Sequence, residues 1–409
     1  MVWKLSGKGT EGYDGMYIYC AIISLFNLDN ILLNNKKEDD FMSEAKKTSL
    51  YNAHEKCGGK IIDFAGWALP VQYEGITAEH EAVRNYAGMF DVSHMGEVEV
   101  RGPQATDYVQ NLVTNDVSVM NENQVFYAMM CYPNGGIVDD LLIYKHTNDF
   151  YLLVINASNV DKDFQWMKEN IGNYVVDLKN ISEDVSEIAL QGPKAQEILQ
   201  ELTDTDLSEI AFFYFKTDVK IAGKNCLVSR TGYTGEDGFE IYMKHEDSEY
   251  VWDKILETGK DKGVKATGLG CRDTLRFEAN LPLYGNELSP EITPLEAGFG
   301  MFVKLGKSNF IGKEALVKQK SEGLKRKIVG FEMEAPGIPR HGYDVLSNGK
   351  VIGFVTTGYN SPTLKKNIGL AMVDIEYSEL GTPIEIQIRK NTVKAKVVDR
   401  RFYTKKYKK

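Results

Sequence analysis

The stretch that most narrows what this chain can fold into is residues 135–144, GGIVDDLLIY. Two glycines turn the chain and an apolar run follows. In a β-strand successive side chains point to opposite faces. Asp139 then shares a face with Ile137, Leu141 and Ile143, and Asp140 shares the other with Val138, Leu142 and Tyr144. Both faces are apolar, as in a strand covered on both sides. At least one of two adjacent carboxylates must enter that apolar setting, where it is neutralised, paired or hydrogen-bonded. The plain structural reading caps the turn with one acid and places the other in a salt bridge. The alternative gives one of them chemical work.

Other segments alternate in the same way: GEVEVRG (96–102), DFYLLVIN (149–156), EIALQG (187–192), VKIAGKNCLVSR (219–230) and FEIYMK (239–244) each read as a strand. Helical spacing lies between them at 76–88, 156–171 and 248–263. Strands and helices mix without regular βαβ alternation, so the fold class is α+β with mainly antiparallel sheets. At 409 residues the chain exceeds one ordinary domain. A charge-rich linker is expected near 318–327, VKQKSEGLKRK. Beyond it, short strands joined by Asn-Gly and Gly turns predict a small all-β C-terminal barrel over 325–409. No repeat or low-complexity tract occurs.

Residues 1–41 differ from the rest. MYIYCAIISLFNL is too short to span a bilayer, follows acids rather than a basic region, and fits a secretory signal poorly. With no Arg and six acids the segment is also unlike a transit peptide. Residues 1–41 are therefore expected to lie outside the fold, as upstream sequence translated from a misassigned start, with Met42 opening the protein proper. The net charge of −10 argues against a general nucleic-acid binder. Five scattered cysteines without C-x-x-C spacing read as reduced thiols in a cytoplasmic protein. The scattered histidines make no metal-ligand pair, so neither metal nor membrane is expected.

Three further segments carry candidate chemistry. SRTGYTGEDGFEIY (229–242) holds three glycines in seven residues but is neither a dinucleotide fingerprint nor a Walker loop. It reads either as a glycine-rich hairpin or as a grip on a flat heterocycle. In the second reading Tyr233 lies over the ring and Glu240, in an otherwise apolar strand, accepts two parallel N–H bonds. ATGLGCRDTLRFEANLPLYGNEL (266–288) reads as a loop, a helix from about Gly270 and a break at Pro282. Its Arg272 and Arg276 share a face. Either they pair with Asp273 and Glu278 on the surface, or Arg272 meets a ligand anion or carbonyl. In FDVSHMGEVEVRGP (90–103) a lone His94 beside Met95 is more often structural than catalytic, and no nucleophile stands next to it.

Taken in order, IDFAGWALPVQY, FDVSHMGEVEVRGP, GGIVDDLLIY, ALQGPKAQ, SRTGYTGEDGFE, GLGCRDTLRFEANLPLYGNEL and GKEAL strongly resemble the glycine cleavage system T-protein family, the aminomethyltransferases. The resemblance runs from about Thr48 to the C-terminus. It implies a three-domain cloverleaf around a central cavity. Residues 42–317 would form two interleaved α+β domains, the second at roughly 94–186, followed by the barrel. The implied reaction moves the methylene carbon of an aminomethyl group, carried on the lipoyl arm of the glycine cleavage H-protein, to tetrahydrofolate with release of ammonia. Tetrahydrofolate would be a co-substrate, with no metal and no flavin. By the family pattern Asp140 is the catalytic acid near the folate, Asp139 is structural, and Glu240 and Arg272 bind folate. Tyr127, Tyr233, Asn156 and Met95 match cavity positions, and Tyr407 matches a C-terminal tyrosine that completes the cavity. A flavin-linked sarcosine or dimethylglycine oxidase would need a dinucleotide-binding domain, for which residues 1–41 are too short. The alternative is a folate-binding iron–sulfur assembly factor on the same scaffold. That branch carries a K-G-C-x-x-G-Q-E-like segment, whereas NFIGKEAL (309–316) has no cysteine.

Overall fold

The computed structural model describes residues 45–408. The expectations for residues 1–41 and the Met42 start lie outside the described residues. Three large sheets and a two-stranded hairpin, Lys60–Phe64 with Trp67–Gln72, meet around one cavity. A six-stranded sheet has the order Phe215–Ile221, Lys224–Ser229, Gly238–Lys244, Val185–Gln191, Ala87–Asp91, Val264–Ala266. A five-stranded sheet has the order Gln124–Cys131, Ile137–Thr147, Phe150–Ile155, Gly96–Arg101, Asp177–Asn180. A closed six-stranded barrel runs from Arg326 to Val398. Pairing is antiparallel except where Val264–Ala266 joins Ala87–Asp91. The α+β class, the antiparallel sheets and the C-terminal barrel are thus present.

Each sheet buries one face beneath helices. Helices Tyr51–Lys56, Ala195–Gln200 and His245–Gly259 cover the first, around Trp252, Phe239 and Leu199. Helices Ala105–Leu112 and Val160–Glu169 cover the second, around Tyr108, Leu153 and Met167. The inner faces of the two sheets meet through Tyr144, Leu152, Phe215 and Tyr242. This explains a strand apolar on both faces: Ile137–Thr147 has helices on one side and another domain on the other.

Four expectations are corrected. Segment 219–230 is the end of one strand and the whole of the next, because Ala222 (φ 49°) and Gly223 (φ 83°) make a two-residue hairpin turn. The helix expected over 76–88 stops at Asn85, and Ala87–Asp91 enters the six-stranded sheet, with Gly88 too close to Val83 and Thr267 for a larger residue. Much of the expected linker is helix Lys313–Glu322, built from charged but strong helix formers and anchored by buried Leu316. It ends at Gly323 (φ 82°).

The fourth correction concerns strand Ile137–Thr147 itself. A bulge shifts its register, so that Met130 faces Asp139 but Cys131 faces Ile137. Val138 is the extra residue. It joins Leu141 and Ile143 in the core, while Ile137 packs with Met129 on the other side. Strict alternation, which put Ile137 with Asp139 and Val138 with Asp140, fails at this end of the strand.

Candidate active site

The glycine pair that opens this strand has a steric cause. Gly135 turns at φ +88°, and a Cβ on Gly136 would lie 1.8 Å from Pro290 O. Ile137 N then donates to Ser289 O at 3.0 Å and to Ile292 O at 3.2 Å, pinning the strand start against the 289–292 loop. The two acids that follow part ways. Asp139 is fully buried. Its carboxylate accepts from Asn156 N (3.1 Å), Asn156 Nδ2 (2.8 Å) and Asn159 Nδ2 (2.8 Å). Asp140 is half-buried at the wall of the cavity. It accepts from Tyr127 OH at 2.9 Å and Asn156 Nδ2 at 2.9 Å. Burial, and then the Asp139 carboxylate beside it, push the Asp140 carboxyl up to about 7; the bonds from Tyr127 and Asn156 pull the other way. Neither acid makes a salt bridge among the described residues, so that part of the plain structural reading is not what occurs.

The cavity has a volume of about 2020 Å³ and lies where the three units meet. Asp140, Glu240, Arg272, Tyr233, Tyr127, Asn156, Met95 and Tyr407 all line it. Glu240 is 6% exposed and sits opposite Ala189 and Ser229 in the six-stranded sheet. Thr231 Oγ1 donates to it, within a hydroxyl cluster of Ser229, Tyr144 and Tyr242. Burial raises its carboxyl, while Thr231, Arg272 and Tyr144 offset part of the rise.

Tyr233 stands at the tip of the glycine-rich turn. Gly232 presses on the Gln191 amide, leaving no room for a Cβ. Tyr233 OH donates to Pro282 O, and the Arg272 guanidinium lies 4.7 Å from the Tyr233 ring centroid. Arg272 lies in helix Leu269–Glu278, whose first turn packs on Val71 through Gly268; a Cβ there would meet Val71 O at 2.5 Å. Buried Glu79 caps that turn by accepting from Gly268 N at 2.8 Å. Arg272 Nη1 is buried without a hydrogen-bond partner, and Arg272 makes no ion pair among the described residues. A half-buried guanidinium with an unpartnered nitrogen at a cavity wall is suited to an anionic or carbonyl ligand group.

Of the expected surface pairing of the two arginines only Arg276–Asp273 is present, and Arg276 is buried rather than at the surface. Arg276 is 1% exposed and bonds Asp273 (2.6 Å) and Glu287 (2.7 Å), with Thr357 of the barrel at 3.2 Å. Glu278, also buried, pairs with Arg84 at 3.0 Å. Tyr127 packs edge-on to Phe302 at 4.8 Å. Met95 touches two core clusters where the sheets approach each other. Past the barrel the chain crosses back: Lys406 N donates to Gly235 O at 2.8 Å, and Tyr407 stacks on Phe212 at 4.2 Å. The tail thereby adds to the cavity wall.

His94 lines the cavity but is buried, and burial lowers its imidazole to about 4, so it is neutral near pH 7. Sequence reasoning missed Glu187. It directly opposes Tyr242, lines the cavity, and is raised by burial and by Glu240. Only its place in EIALQG, a charge in an apolar strand, could have signalled it. No cluster of potential metal ligands occurs among the described residues.

Two sheets and a barrel closed around one acid-lined cavity define a class with known members. Residues 50–307 match the family model "GCVT N-terminal domain", and residues 326–404 match "Glycine cleavage T-protein C-terminal barrel domain". A crystal structure of glycine cleavage system aminomethyltransferase T from Bartonella henselae is similar at a TM-score of 0.83 and 30% identity, over 89% of this chain and 99% of that one. Among curated relatives, an aminomethyltransferase of Alkaliphilus oremlandii is 67% identical over 90% of this chain and its own full length. One of Thermoanaerobacter pseudethanolicus is 65% identical with the same coverage. The chain belongs to the glycine cleavage T-protein family, and its activity is that of an aminomethyltransferase. The iron–sulfur assembly alternative is not favoured.

Proposed function

We propose that this chain takes the methylene carbon from an aminomethyl group on the lipoyl arm of a glycine cleavage H-protein and passes it to tetrahydrofolate, releasing ammonia. The observation that carries this reading is the division of labour between the adjacent acids. Asp139 is consumed by internal hydrogen bonds, while Asp140 faces the cavity with its carboxyl near neutrality. When the aminomethyl C–N bond loses ammonia, the carbon left behind is cationic and iminium-like. A carboxylate fixed by Tyr127 and Asn156 stabilises that charge as it develops and can accept a proton.

The other residues fit a reduced pterin as co-substrate. Glu240 would accept from the amino and ring N–H groups, and the open Nη1 of Arg272 would meet an acceptor of the ligand. Tyr233, Tyr127, Asn156, Met95 and Tyr407 would enclose it. The lipoyl H-protein is the proposed partner and the cytoplasm the proposed location. Among the described residues no helix is long and apolar enough to cross a membrane. The test is ammonia release from aminomethylated H-protein with and without tetrahydrofolate. Release that does not depend on tetrahydrofolate removes the proposal.

A further inference from the structure

Behind Asp140 lies a third acid that the proposed reaction does not use. Asp163, in helix Val160–Glu169, is fully buried. Neither of its oxygens accepts a hydrogen bond; Lys162 Nζ lies 3.0 Å from Oδ1 but without hydrogen-bond geometry, and it donates instead to Val138 O. A buried carboxylate with no donor is costly, and the usual outcome is a neutral acid. As a neutral acid Asp163 has one proton to donate, and Asp139 is its neighbour. Burial and Asp139 both raise the Asp163 carboxyl, and they outweigh the opposing pull of Lys162. Asp139 already accepts three hydrogen bonds from Asn156 and Asn159, and a proton on Asp163 can be offered to it as a fourth.

Asn156 joins this buried pair to the cavity. Its Nδ2 spans Asp139 Oδ1 (2.8 Å), Asp140 Oδ1 (2.9 Å) and Asp140 O (3.1 Å). One side-chain amide therefore fixes both carboxyls, and the helix carrying Asp163 fixes Asp139 from behind. We infer that Asp139 and Asp163 are positioning residues, which hold Asp140 through Asn156 and set the pH at which it ionises. This rests on the reading of Asp140 given above. The charge on Asp139 makes Asp140 harder to ionise. The other titratable groups facing the acids are Tyr127 from the neighbouring strand, Tyr132, Tyr233, Tyr284 and Lys162. The tyrosines are neutral near pH 7, and the Lys162 ammonium is engaged at Val138 O. Asp139 is thus the negative charge that controls Asp140.

The experiment is an infrared titration of the carboxyl C=O stretch in the whole protein, with Asp140 assigned by difference against D140N, alongside the pH profile of kcat. D139N removes the like charge, so the Asp140 midpoint falls by at least about one pH unit, and the acid limb of kcat moves with it. D163A removes the donor that holds Asp139 from behind and shifts the midpoint in the same direction by less. D163N supplies an amide donor in the same place and restores the wild-type midpoint, a rescue that a purely steric role would not give. An unmoved midpoint in D139N overturns the role of Asp139. A wild-type midpoint in D163A, or a D163N shift as large as that of D139N, overturns the role of Asp163. The infrared midpoints need no turnover, so a protein that titrates as described but lacks tetrahydrofolate-dependent activity would fault the functional reading alone.

Discussion

Replacing Asp140 by Asn should slow turnover and yet stabilise the fold, and both effects have a size. The change is isosteric, and Tyr127 OH can still donate to the amide oxygen at the place where it meets Oδ2 at 2.9 Å. Most of the folate affinity should therefore survive. The negative charge that faces the developing cation is lost, and such an electrostatic contact is worth ~10²–10³ in rate. Stability moves the other way. The native carboxyl is held at about 7 against an ordinary value of 3.8. Between those values the native state binds the proton that the unfolded chain has lost, so wild-type stability falls as pH rises through this window and levels off above about 7. Each pH unit of the window costs about 1.4 kcal/mol. From pH 5 to pH 8 the wild type should lose about 2–3 kcal/mol relative to D140N, whatever hydrogen-bond loss the variant carries at both pH values. Denaturant unfolding of both proteins at pH 5 and pH 8, with single-turnover ammonia release at saturating tetrahydrofolate, measures the two effects. A variant that turns over like wild type, or a stability difference that does not change with pH, would refute the assignment of Asp140 as the strained, cavity-facing acid.

Glu240→Gln puts an amide where an acceptor oxygen faces ligand N–H groups, and should cost roughly 1.5–3 kcal/mol of tetrahydrofolate affinity by calorimetry, the scale of a charge-assisted hydrogen bond. Arg276→Met leaves Glu287, itself 1% exposed, as an uncompensated buried charge; the loss in unfolding free energy should be about 3–5 kcal/mol, and a loss below 1 kcal/mol would mean that the cluster relaxes to water. A chain of residues 42–409 should keep both its melting temperature and its transferase activity, since residues 1–41 have no counterpart in the family resemblance; a large drop in either on truncation would make them part of the fold.

Much of this architecture was legible because strand alternation and turn residues are local signals. The antiparallel sheets and the barrel follow from period-two runs between Gly and Asn turns. What could not be read are features decided by partners distant in sequence. A bulge inserts Val138 and swaps the start of the strand between faces, and nothing within GGIVDDLLIY signals it. Arg272 and Arg276 read as surface partners of Asp273 and Glu278, but Arg276 and Glu278 find partners in Thr357 and Arg84, from the barrel and from a helix nearly two hundred residues earlier. The site was legible to the extent that its residues are odd in place: an acid in an apolar strand, a tyrosine at a glycine turn. Glu187 met the same criterion and was passed over, because a single charge in EIALQG carries no second signal.

The placement of the cavity follows from the same long-range contacts. No one sheet could supply it. The five-stranded sheet brings Asp140 and Tyr127, the six-stranded sheet brings Glu240, the helix Leu269–Glu278 brings Arg272, and the tail beyond the barrel brings Tyr407. Each unit has its own apolar core, and apolar clusters join the units, but one junction is a seam of buried charge centred on Arg84. It bonds Glu236 at 2.9 Å and Glu278 at 3.0 Å, and its guanidinium lies 3.8 Å from the ring centroid of Tyr403 in the tail. Arg84 reaches both acids only when the helix Ile76–Asn85, the turn at 232–236 and the helix Leu269–Glu278 are docked together. An apolar seam would tolerate sliding, whereas unpaired buried charge does not. The cost of misalignment at this seam therefore acts on the spacing between Glu240 and Arg272, the two groups that would have to grip one flat heterocycle from different elements. That is a physical reason for placing buried ion pairs at this junction beside its apolar contacts.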